Sequence, residues 1–75
     1  MTKNDLKIKL ENKGFPTGSF SLEGGLPNES YCLNKNGKIW EVYYSERGNK
    51  SGLKEFKDES EACLYMYNLL NKSIK

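Results

Sequence analysis

The chain has 75 residues, with twelve Lys plus Arg, ten Asp plus Glu, two cysteines and no histidine. That length supports one domain around a single small core, and 36% hydrophobic beside 29% charged residues fits a soluble globular chain better than a disordered or membrane one. Without histidine the commonest general base and metal ligand are missing, and two cysteines do not complete a four-ligand zinc site, so a binding module without metal or cofactor is expected rather than a self-sufficient enzyme.

Residues 2–13 read as a helix. Thr2 caps it, Asp5 three residues later closes a capping box, and Leu6 and Leu10 share one face. Ile8 lies off that stripe. Gly14 stands where a left-handed C-terminal cap belongs, and Pro16 blocks continuation. Ser19-Phe20-Ser21-Leu22 alternates as a short edge strand over 19–22. A strand over 30–35 follows, with Tyr31 and Leu33 on one face and Cys32 on the other. Asn36-Gly37 gives a two-residue hairpin signal, since both central positions of a type I′ turn need positive φ.

The next strand, 38–46, is the best patterned: Trp40, Val42 and Tyr44 alternate with Ile39, Glu41 and Tyr43, and the Trp40 face is expected to be the buried one. A turn at Arg47-Gly48-Asn49-Lys50 leads to a strand over 51–57. Asp58 then caps a helix over 59–72, with Glu61 closing a capping box and Ala62, Cys63, Met66, Leu69 and Leu70 forming the stripe of a helix lying on a sheet. The expected fold is α+β in a single domain spanning 1–75. It runs from an N-terminal helix through a three- to four-stranded antiparallel meander to a C-terminal helix packed on the sheet.

No apolar run approaches the roughly 18 residues of a membrane span. Lys3, Asn4, Asp5 and Lys7 interrupt the stretch a signal peptide needs, so a cytoplasmic protein is expected. Cys32 and Cys63 then read as reduced, buried thiols, a strand-to-helix disulfide being the alternative. Catalysis finds little support. Glu41 and Glu46 differ by an odd number and fall on opposite faces of an unbroken strand, Ser45 has no histidine to activate it, and Cys63 lies in the apolar stripe. Gly24-Gly25 lacks the lysine and helix of a phosphate-binding loop.

Charge separates two binding readings. Residues 1–13 carry a net +2, residues 14–34 a net −2, residues 35–57 a net +3 and residues 58–75 a net −1. The order helix, three strands, helix matches double-stranded RNA-binding domains, and the stretch from Gly37 to Leu70 resembles the sheet-and-helix DNA-binding modules of integrase arms and plant AP2 domains. A basic sheet suits phosphate contact. Against the RNA-binding pattern, Asp58, Glu59 and Glu61 occupy the helix start where such domains carry lysines.

The stronger reading is a protein interface. Tyr43, Glu46 and the single arginine, Arg47, end the best strand, and tyrosine and arginine are favoured at interface hot spots. Tyr65 and Tyr67 add to the tyrosine surplus. Glu23 and Glu29 bracket the Gly24-Gly25-Leu26-Pro27 loop as a dock for a basic partner. Three segments carry a resemblance: residues 21–33 (SLEGGLPNESYCL), residues 40–48 (WEVYYSERG), and Phe56 through Glu61-Ala62-Cys63. Over about residues 14–70 the chain resembles small bacterial immunity proteins encoded beside secreted polymorphic toxins. The resemblance implies a cytosolic protein that binds a cognate toxin domain, nucleases among the candidates, and blocks it. It carries over no individual site residue.

Overall fold

The structure is a computed structural model that describes residues 1–26 and 29–73. Helix α1 spans Lys3–Asn12, strands β1 to β4 span Phe20–Ser21, Ser30–Asn36, Ile39–Glu46 and Asn49–Phe56, and helix α2 spans Glu59–Ser73. The sheet order is β1-β2-β3-β4, with both helices on one face, an α+β fold.

The ends of α1 form as their residue types dictate. Thr2 Oγ1 accepts from the Asp5 amide at 3.2 Å, and Asp5 Oδ2 accepts from the Thr2 amide at 3.1 Å, the reciprocal capping box. At the other end Gly14 (φ 81) donates to Glu11 O and Phe15 donates to Leu10 O, the two bonds of a Schellman motif. Leu6 and Leu10 are fully buried, while Ile8 stays half exposed beside Met1, Asp5, Lys9 and Asn12.

The strands correct the expected meander in two places. β1 holds only two residues and pairs with β2 in parallel, Phe20 with Tyr31 and Ser21 with Cys32. A parallel neighbour cannot be reached by a hairpin, so the chain leaving β1 must return over one face of the sheet. Its described part does so on the face away from the helices. Tyr43 Oη donates to Gly25 O at 2.7 Å, Ser21 Oγ donates to Gly24 O at 3.0 Å, and a Cβ on Gly24 would clash with Asn34 Oδ1. Gly24 (φ 73) is thus required twice, by its backbone conformation and by the close approach to Asn34.

The second correction is the β2–β3 turn. Asn36 pairs with Ile39, so its central residues are Gly37 and Lys38, one place later than the Asn36-Gly37 signal. Only Gly37 has positive φ, at 65°, the requirement of a type II′ turn. The offset moves each cross-strand partner by two residues, which preserves the faces while placing Tyr31 opposite Tyr44.

Leu33 and Val42 join Leu6, Leu10, Ala62, Cys63, Met66 and Leu70 in the core beneath the helices. Trp40 and Tyr44 share that face but are only partly buried. The expectation of one buried face is corrected as well, because the far face is also covered: Cys32, Glu41, Tyr43 and Ser45 are buried there. Cys32 and Cys63 are free thiols, and strand alternation sets Cys32 opposite the Leu33 face that packs with Cys63, so the disulfide alternative is not realised.

Candidate functional site

The expected site residues separate in space. Tyr43, expected at the interface, is 1% exposed, with its hydroxyl bonded to Gly25 O. Burial pushes that hydroxyl up to about 12, with the neighbouring Cys32 and Glu41 adding to the effect. Glu23 stands apart from the other acids, where its Oε1 pairs with Lys3 Nζ at 3.0 Å near Leu22 and Trp40. Glu29, Glu46 and Arg47, by contrast, come together at one end of the β2–β3 pair.

Register explains this meeting. The β2–β3 ladder ends with Ser30 opposite Ser45, so Glu29, just before β2, and Glu46, at the end of β3, lie at the same end of the strand pair. Both are exposed. Neither takes part in the ion pairs Lys3–Glu23 and Lys50–Glu41. Glu29 also has φ 53, a left-handed conformation uncommon outside glycine and asparagine. Arg47 (φ 51) and Gly48 (φ 79) follow as the two central residues of the β3–β4 turn, where Glu46 pairs with Asn49.

Beside these carboxylates lies a groove of about 320 Å³, lined by Tyr31, Tyr44, Ser51, Gly52, Tyr65 and Leu69. Tyr31 and Tyr44 stack across the strands with ring centroids 4.8 Å apart and planes tilted by 55°. Tyr65 and Leu69 come from α2, where Phe56 holds the Tyr65 ring at 5.2 Å. Ser51 and Gly52 come from β4, at a register shift opposite Val42–Tyr44, and the missing side chain of Gly52 leaves open space. Partial burial raises the Tyr44 hydroxyl above its ordinary value, and the charges of Glu29 and Glu46 raise it further. It therefore stays a neutral hydroxyl throughout the physiological range.

Glu29 and Glu46 were both singled out in the sequence, in separate groups, whereas the aromatic floor formed by Tyr31, Tyr44 and Tyr65 was not. The signal was present in the alternation of Tyr31 and Tyr44. With the turn centred on Asn36-Gly37, however, Tyr31 faces Val42, and the tyrosine pair disappears.

On the far face Glu41 accepts from Asn34 Nδ2 at 3.0 Å and lies 3.6 Å from Lys50 Nζ, which also stands 4.7 Å from the Tyr43 ring centre. The Asn34 bond holds the Glu41 carboxyl below its usual range against the opposing effect of burial, with Asn36 and Lys50 assisting. Ser45 Oγ is buried there without a hydrogen-bond partner among the described residues. Burial pushes the Cys32 thiol up and carries Cys63 to about 11, so neither is a ready thiolate. Among the described residues no group of three His, Cys, Asp or Glu side chains is arranged to hold a metal ion, and no helix is long and apolar enough to cross a membrane.

In comparisons with known proteins, no family model matches the chain, and neither the curated proteins nor the solved structures gave a significant match.

Proposed function

We propose that the chain is a non-enzymatic protein-binding module, an immunity protein that binds a cognate bacterial toxin domain in the cytoplasm and neutralises it. The observation that carries this reading is the groove beside Glu29 and Glu46. Three partly buried tyrosines from three elements form an amphipathic surface, and the charges of two exposed carboxylates, Glu29 and Glu46, reach the Tyr44 hydroxyl on it. Tyrosine supplies large contact area with few rotors to freeze, which is why it recurs at interface hot spots. The thiols and hydroxyls best placed for chemistry are instead held in their neutral forms.

The nucleic-acid alternative draws on the +3 of residues 35–57. It gains little from the sheet face away from the helices. There Glu41 pairs across the strands with Glu55, and Lys50 is engaged by Glu41 and the Tyr43 ring. A groove-reading sheet needs free cations on that face.

The test is co-expression with the C-terminal domain of a secreted protein encoded by a neighbouring gene, where one is present. Rescue of growth from that domain's toxicity by the wild-type chain supports immunity. Loss of viability despite stable accumulation of the chain removes it. A salt-sensitive gel shift with duplex DNA or RNA at micromolar protein, without rescue, favours nucleic-acid binding instead.

A further inference from the structure

We propose that the tyrosine groove between α2 and the β3–β4 hairpin receives one arginine side chain of the protein partner, its guanidinium lying on the tyrosine faces and reaching Glu29 and Glu46. The proposal rests on the protein-binding reading for its setting and adds the chemistry of the occupant.

Three features argue for a cation of this shape. First, β-strand alternation puts Glu46 on the same face as Tyr44, two residues away, and Glu29, which directly precedes β2 at the same end of the strand pair, joins it in acting on the Tyr44 hydroxyl. Two negative charges beside the groove favour a positive occupant. Second, the lining is aromatic where the charge is negative. Tyr31 and Tyr44 lie 4.8 Å apart at a tilt of 55°, and Tyr65 completes the wall from the helix. Aromatic faces attract cations within about 6 Å of the ring centre, more strongly where water is displaced. Third, about 320 Å³ accommodates a long side chain but not a folded segment, and Gly52 keeps the β4 side open.

Arginine fits better than lysine. Its planar guanidinium is weakly hydrated, stacks on rings and offers a fork of donors to a carboxylate. An ammonium group would surrender more hydration to enter the same partly apolar groove. Tyr44, whose hydroxyl stays neutral, contributes an acceptor as well as a ring.

The probe is N-acetyl-arginine amide, titrated into the full chain while the tyrosine ring resonances are followed by NMR. N-acetyl-citrulline amide serves as the neutral isostere. Saturable shifts of Tyr31, Tyr44 and Tyr65, with a dissociation constant of about 1–10 mM, are expected for arginine and not for citrulline. Added salt should weaken them. Tyr44→Ala should abolish saturation. Glu46→Gln, an exposed change at the strand end that leaves the fold intact, should weaken binding about two- to fivefold.

Shifts equal for both probes, shifts confined to other residues, or no saturation by about 50 mM would overturn the proposal. Failure here is separable from failure of the immunity reading. A toxin domain bound equally well by wild type and Tyr44→Ala removes the groove but keeps the function, whereas saturable arginine binding without any rescue of growth keeps the groove and removes the function.

Discussion

Tyr43 donates its hydroxyl to Gly25 O from a buried position, while Tyr44, the next residue, half faces solvent beside Glu29 and Glu46. One step of strand alternation packs the first into the interior and leaves the second facing the proposed binding groove. Tyr43→Phe should therefore cost about 0.5–1.5 kcal/mol of stability, the worth of one hydrogen bond. The ring and its contact with Lys50 remain in that variant. Urea denaturation measures the loss, and a fall in partner affinity comparable to that of Tyr44→Ala would refute the division of roles. Glu41 yields a pH prediction. Its carboxyl is lowered in the folded state by Asn34, so the fold binds that proton less readily than the unfolded chain does. The stability it contributes is then present above the usual carboxylate pKa and is lost as pH falls through the lowered folded value. Urea midpoints should decline below about pH 4.5, and Glu41→Gln should flatten that acid limb. An identical limb in the variant would show that Glu41 does not contribute.

The two helices are tied at their N-termini by a contact the sequence pattern did not reveal. Glu59 Oε2 accepts the Lys3 amide at 2.8 Å, and the Met1 amino group donates to Ser60 Oγ at 3.0 Å. An acidic residue in the first turn of α2 thus satisfies one of the orphan amides of α1, besides favouring its own helix dipole. Glu59→Ala should cost about 1 kcal/mol, read from the thermal midpoint, and Glu59→Gln should recover part of it. No change in either would mean that water serves that amide equally well. Elements were legible where the cause is local: the Thr2–Asp5 box, the Gly14 cap, the alternation of β3 and the stripe of α2 are all set by near neighbours. Two features were not. The direction of β1 depends on how the chain that follows it packs on the sheet, and the β2–β3 offset depends on which side of Gly37 the turn falls. Both are decided by tertiary contacts such as Tyr43 to Gly25 and Gly24 against Asn34.

At the scale of the molecule, a 75-residue chain covers both faces of the sheet centre, with two helices on one and a short crossing segment on the other. That arrangement hides the face expected to stay open. It also leaves β4 as an edge strand whose residues are exposed except Phe56. β4 carries Lys50, Lys54 and a register shift at Gly52, all of which discourage edge pairing. The candidate site was half legible: charge singled out Glu29 and the strand-end cluster with Tyr43 and Arg47 singled out Glu46, and the fold places both at one end of the β2–β3 pair, whereas Glu23 is paired with Lys3 and Tyr43 is core. Cys32 and Cys63, buried on opposite sides of the sheet, should react with a thiol reagent at pH 8 only after denaturation; rapid reaction of either in the native protein would contradict the packing.

Calorimetric titration of a candidate toxin domain encoded by a neighbouring gene into wild-type chain and Tyr44→Ala tests whether the Tyr44 groove binds a protein. Nanomolar binding by the wild type is expected, with a loss of about 30-fold or more in the variant, the signature of a hot spot of about 2 kcal/mol. Equal affinities for the two chains, or no binding by the wild type, would contradict it.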